Sequence, residues 1–345
     1  MSAARVLLGV ALAEAASWTG LYQRALLLPY WTRRKRREIE DDHDREGSIE
    51  WPVPFALNQP TAALRGGPGP RSEWVAFQLR LLAASGGRYD LEAARRAWLD
   101  LAAGGAEPPR LSIAQRSALD ALRAGGGPPW SGHDHPHYFD DAAAVRAIAL
   151  GAVLADDLDA LRAAVRADAP LSNAEDGIWA AEAVALAVAH ALRGAAPAAV
   201  VDAARTALPT DSWIGEATER ALRHAAVATD ALDLALRLDH DLANAAYSYF
   251  DAAPDVVPIA LAIFRRSFPH VDSALWAAAA VPRHAGAVLP LVGALCAAAG
   301  ADAATAWPPL QLRDRVPSLL GVALPQLRGL RLSDLSLRPP HDEGD

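Results

Sequence analysis

Three histidines alternate in the run His133-Asp134-His135-Pro136-His137. Strand-like alternation would turn the three imidazoles to one side, an arrangement that zinc accepts. The run lies in a glycine- and proline-rich stretch, Gly125 to Phe139, without helical spacing, and a polar connector is the competing reading. Cys296 is the one thiol in 345 residues. It stands inside an apolar run, where a buried small hydrophobe competes with a nucleophile, and no intrachain disulfide is open to it. A third cluster, Thr32-Arg33-Arg34-Lys35-Arg36-Arg37 followed by Glu38 to Asp42, carries both signs of charge. The neighbouring acids cancel most of its field, so it reads as a solvated helix end or surface loop before it reads as a nucleic-acid or partner patch.

The elements that must position these groups are helices. Hydrophobic residues make up 52% of the chain and aromatics 6%, and much of the apolar material is alanine, which orders into a helix with no side-chain entropy cost. Apolar periodicity predicts helices over 3–17, 90–103, 112–124, 140–155, 156–167, 174–193, 196–207, 213–227, 229–237, 254–266, 271–281, 285–299 and 313–325. Ser72, ahead of Glu73 and the apolar run from Trp74, reads as the N-cap of a further helix. From Trp51 to Pro70 prolines and glycines exclude continuous helix, and the tail 337–345 reads as disordered. No linker divides the chain, which suggests one all-helical domain over 1–336. The formal net charge of −8 argues against general binding to nucleic-acid backbones. Arginine supplies nearly all the basic charge, with Lys35 the lone lysine, a bias typical of a GC-rich genome. Residues 5–13 have the look of a weak signal peptide, but Glu14 interrupts them. No run reaches the roughly 20 apolar residues of a membrane span, so a cytoplasmic protein is expected.

Five segments resemble, in order, the landmarks of the ADP-ribosylglycohydrolase family. Leu8-Gly9-Val10-Ala11-Leu12-Ala13-Glu14-Ala15 resembles its opening Gly-x-Ala-x-Gly-Asp-Ala helix. Gly69-Pro70-Arg71-Ser72-Glu73-Trp74 stands in the place of Thr-Asp-Asp-Thr and the start of its helix. A slipped register would set Glu73 on one of those aspartates. The stretch from Phe139 to Gly151 is similar to Gly-Asn-Gly-x-x-Met-Arg-x-x-Pro-Leu-Gly, with Arg146 retained and Asp141-Ala142 at Asn-Gly. Leu171-Ser172-Asn173 corresponds to Thr-His before a long helix. Val257-Pro258-Ile259-Ala260-Leu261 matches the Val/Leu-Pro-x-Ala-Leu helix, and Pro282 to Gly293 stands where Gly-Gly-Asp-x-Asp-Thr leads into an apolar helix.

The resemblance implies an all-α fold, a compact orthogonal multi-helix bundle, with a cleft where the helix starts near 70–73, 140–146 and 284–287 meet. In the family, acidic residues of the second and last landmarks hold two magnesium ions. The matching positions here are Pro70, Arg71, Ser72, His284, Gly286 and Ala287, of which only the Ser72 hydroxyl is an oxygen donor, too few for ions that want about six oxygens. Losing both acidic groups together is coherent, since carboxylates without their cations repel one another. No metal or other cofactor is therefore expected, nor a catalytic residue. The resemblance gives Glu14, Arg71, Ser72, Glu73, Asp141, Arg146, Asn173, Arg283 and His284 as positions bordering a ligand cleft. Arg71 and Arg283, with His284 beside them, could offer a pyrophosphate the positive charge that magnesium once provided. The competing reading pairs those arginines with Glu14 or Asp141, or turns them to solvent. The expected function is an inactive relative that binds ADP-ribose, a related nucleotide or a partner protein, with no nucleic acid and no membrane. The alternatives are a hydrolase with a non-standard site, using Glu73, Glu14, Asp141 or the histidine loop, and a helical interaction protein of architectural likeness only.

Overall fold

Helix caps mark out much of the architecture. In the computed structural model, which describes residues 2–27, 68–103, 108–243, 251–281, 283–301 and 318–335, Ser112 accepts the Gln115 N–H while the Gln115 side chain accepts the Ser112 N–H. Asp157, Ser212 and Asp230 likewise accept N–H groups of the first turns they precede. Each satisfies donors that a helix start leaves without an intrahelical partner.

Among the described residues there are fourteen α-helices and no strand. They are α1 (Ser2–Leu27), α2 (Pro70–Ala84), α3 (Leu91–Ala103), α4 (Ile113–Arg123), α5 (Trp130–His133), α6 (Ala142–Val153) and α7 (Leu158–Asp168). There follow α8 (Asp176–Leu192), α9 (Pro197–Arg205), α10 (Trp213–Val227), α11 (Ala231–Asp241), α12 (Ala253–Ser267), α13 (Val271–Ala279) and α14 (Ala285–Ala298). The all-α expectation therefore holds. The β-type pairing is limited to two isolated bridges, Asp140 with Ala252 and Ser318 with Arg331.

The apolar helix α14 is buried along nearly its whole length and packs most extensively on α1. Gly9 makes that approach possible, since a Cβ there would lie 2.6 Å from the Gly293 carbonyl oxygen. Helix α6 packs on α8 and α2, and α10 on α12. One hydrophobic cluster joins Ala3 on α1 to Leu335.

Several expectations are corrected. The first helix continues past residue 17 to Leu27. The expected helix 313–325 is absent over its described part, where 318–324 are irregular and a 3-10 turn covers Pro325–Leu327. The irregular stretch 125–139 contains the one-turn helix α5. Ser72 is not an N-cap: α2 begins at Pro70, with Gly69 at the cap position. Proline suits a first helical position because its fixed φ is already helical and its missing N–H is not needed there. The charge block 32–42, Trp51 to Gly67, Pro282 and the tail 337–345 lie outside the described residues.

Candidate active site

The N-terminal ends of four helices, α2, α6, α12 and α14, face one cluster of charged side chains. Two of these ends are tied together before any side chain acts. The Asp141 N–H donates to the Asp251 carbonyl at 3.0 Å, and the Ala253 N–H donates to the Phe139 carbonyl at 2.9 Å. Residues 139–141 and 251–253 thus enter α6 and α12 side by side. Helix N-termini concentrate positive partial charge, so carboxylates gather there at reduced cost.

Glu14, buried in the middle of α1, caps α2 from outside. Its carboxylate accepts the N–H groups of Gly69 (2.8 Å), Arg71 (2.9 Å) and Ser72 (2.9 Å), and the Ser72 hydroxyl at 2.6 Å. This explains the misplaced cap, because Ser72 donates to the residue that does the capping. It also explains Gly69, where a Cβ would stand 2.9 Å from Glu14 Oε1.

A similar substitution frees Asp141. Asp140 Oδ1 accepts the Ala142 N–H at 3.0 Å and Asn173 Oδ1 accepts the Ala143 N–H at 3.1 Å. The start of α6 is satisfied by its neighbours, and Asp141, at the cap position, makes no cap bond. Its carboxylate instead takes Arg71, with Oδ2 2.9 Å from Nε and 2.7 Å from Nη2. The same Nη2 lies 2.7 Å from Asp251 Oδ2. One guanidinium nitrogen is thus shared by two carboxylates, whose side chains are 12% and 28% exposed. The other Asp251 oxygen meets His284 Nδ1 at 2.8 Å, and His284 Nε2 lies 3.5 Å from Asp255 Oδ2.

The two carboxylates sharing Arg71 are driven in opposite directions. Burial raises the Asp141 carboxyl above the usual range, helped by Asp251 and Asp140 and opposed by Arg71. Burial also acts to raise Asp251, but Arg71 and His284 outweigh it and hold this carboxyl well below the usual range. Asp251 is therefore the fixed anion of the cluster, and an ionised Asp251 requires His284 to donate from Nδ1. Burial acts to lower the Arg71 guanidinium, yet Asp141, Asp251 and Glu14 together raise it.

The structure thus brings Glu14, Arg71, Ser72, Asp141 and His284 together. Arg283, next to His284, is half-buried, and with His284 it acts to lower the Asp239 carboxyl, although burial is the larger influence and raises it. The other sequence candidates serve different contacts. Glu73 is fully buried and accepts the N–H groups of Val322, Ala323 and Leu324 at 2.6, 2.8 and 2.7 Å, clasping 318–335 to α2. Arg146 donates from Nε to Asp168 at 2.8 Å, away from the cluster. Asn173 binds Asp140 and the start of α6, one layer behind Asp141. In the histidine loop, His135 Nε2 lies 3.0 Å from the Ser172 carbonyl and the His133 ring stacks on Tyr138, so these rings do not converge. No group of three or more His, Cys, Asp or Glu among the described residues is arranged to hold a metal ion. No described helix is long and apolar enough to cross a membrane.

Sequence reasoning missed Asp251 and Asp255. A signal was present, because Asp251-Ala-Ala-Pro-Asp255 precedes the Val-Pro-x-Ala-Leu landmark and acids collect at helix starts.

A family model described as ADP-ribosylglycohydrolase matches residues 2–325. A solved structure described as an ADP-ribosylglycohydrolase-related protein complex covers 97% of this chain and 97% of its own, with a TM-score of 0.58. At 18% identity that likeness concerns the fold alone. Comparison with curated proteins finds no match.

Proposed function

The chain belongs to the ADP-ribosylglycohydrolase family, and we propose that it is a member that no longer hydrolyses and serves as a binding or regulatory module. One observation carries this reading. The Arg71 guanidinium, which the sequence resemblance sets against a metal-binding aspartate of the family, lies 2.7 Å from both Asp141 Oδ2 and Asp251 Oδ2. A permanent cation on the protein satisfies the carboxylates that would otherwise be drawn to a metal. The donor set does not fit a magnesium pair: Ser72 Oγ is bound to Glu14, and Glu14 itself is spent on the start of α2.

The competing hydrolase reading draws no support from Glu73, which is fully buried and clasped by residues 322–324. Glycoside hydrolysis needs a carboxyl acid opposed to a second free carboxylate across the scissile bond. Here Asp141 and Asp251 are both engaged by Arg71. As ligand or partner we retain ADP-ribose, a related nucleotide or a protein chain. A metal-free pyrophosphate clamp is weakened, because Nε and Nη2 of Arg71 are already committed.

The test is turnover. Peptides ADP-ribosylated on arginine or serine, incubated with the protein and magnesium, are expected to release no ADP-ribose above the protein-free blank. Release that depends on magnesium and stops on chelation would defeat the proposal.

A further inference from the structure

The Asp251 carboxylate is held as a bound ligand would be. One oxygen lies 2.7 Å from Arg71 Nη2 and the other 2.8 Å from His284 Nδ1. The two donors come from different helix starts, α2 and α14, and His284 is 1% exposed. Asp251 comes from a third segment, two residues ahead of α12, and its side chain is 28% exposed. The two donors therefore form a cradle sized for one carboxylate, buried on the histidine side and open on the Asp251 side.

We propose that Arg71 and His284 form a carboxylate-binding site that Asp251 fills as a tethered occupant, and that a small monoanionic carboxylate is the ligand class able to replace it. This rests on the reading that the cleft binds rather than hydrolyses, and it assigns the chemistry of the Arg71–His284 cradle alone. The charges around the cradle set the selectivity. Asp141 shares Arg71, Asp255 Oδ2 lies 3.5 Å from His284 Nε2, and Glu14 and Asp239 add further negative charge nearby. Arg283 offsets part of it. A single negative charge reproduces what Asp251 already contributes. A phosphate or pyrophosphate brings more charge against the same carboxylates and is disfavoured. In the intact chain the tether gives Asp251 a high effective concentration, so an outside carboxylate competes poorly.

Chemical rescue of Asp251→Ala tests the proposal, in EDTA and without any ADP-ribosyl substrate, so the result is independent of turnover. Added acetate is expected to raise the melting temperature of this variant progressively with concentration, as a ligand selective for the folded state must. Sodium chloride at equal ionic strength should give no such rise, phosphate should give less than acetate, and the unmodified chain should need about tenfold more acetate for the same shift. Equal responses to acetate and chloride would overturn the assignment, as would a larger response to phosphate. If the variant folds only in acetate, the proposal stands; if it folds in neither salt, the proposal fails.

Discussion

Two arginine–carboxylate clusters lie within a few residues of each other on α6 and its approach, and they differ in almost everything but their ingredients. Arg146 meets one carboxylate, Asp168, with side chains 0% and 2% exposed. Tyr89 donates to the other Asp168 oxygen at 3.0 Å, the Ala142 and Asp168 carbonyls take two further Arg146 nitrogens, and the guanidinium lies over the Trp98 ring. Charges balance one to one and water is excluded. Arg71 instead serves two carboxylates, one of which reaches on to His284, and every member of that trio is partly exposed. A balanced, sealed pair acts as a rivet. An acid-rich, half-open cluster keeps unsatisfied charge preference at the surface, which suits a site.

This contrast ranks the expected effects of substitution. Arg146→Met should be the most damaging, costing about 3–5 kcal/mol in a denaturant titration, because it strands a buried carboxylate. A cost below about 1 kcal/mol would remove the distinction between the two clusters. Glu14→Ala comes next, at about 2–4 kcal/mol, since the first turn of α2 loses the acceptor of three N–H groups and the Ser72 hydroxyl. Arg71→Met should cost about 1–2 kcal/mol, less than Arg146→Met because water can reach the cluster. Its cost should also be larger near pH 8 than near pH 5, as protonation relieves the paired carboxylates left behind. A pH-independent cost would mean that Arg71 is merely packing.

The smallest effect concerns the unmodified chain. Burial raises Glu73 to about 7 against its three N–H donors, and raises Asp140 to about 6 against Asn173, the Ala142 N–H and Ser112. Asp141 moves in the same direction. The folded chain thus holds protons that the unfolded chain releases. The associated stability is present below the ordinary carboxylate range and is lost as pH rises through about 6 to 7. Asp251 acts in the opposite sense, only at much lower pH. Denaturant midpoints should therefore fall modestly between about pH 5 and about pH 8, and a rise over that interval would contradict these assignments.

The helices were legible because alanine-rich periodicity and polar caps are local signals, and the boundaries of α10 coincide with the expected 213–227. The site was legible only in part. Pairing of Arg71 with Asp141 was one of two open readings, but Asp251 lies 180 residues from Arg71 and no spacing rule links them. Ser72 was misread because a residue of the right type for an N-cap is indistinguishable, in sequence, from one that donates to a distant capping carboxylate. Glu73 was misread likewise: its acceptors are filled by a segment about 250 residues away.

Whether Arg71 has taken the place of the family's metal ions is tested most directly by calorimetric titration of magnesium into the unmodified protein. The prediction is no saturable binding heat at millimolar magnesium, and no change in melting temperature on adding EDTA. Saturable uptake of magnesium, with stabilisation that EDTA removes, would contradict it.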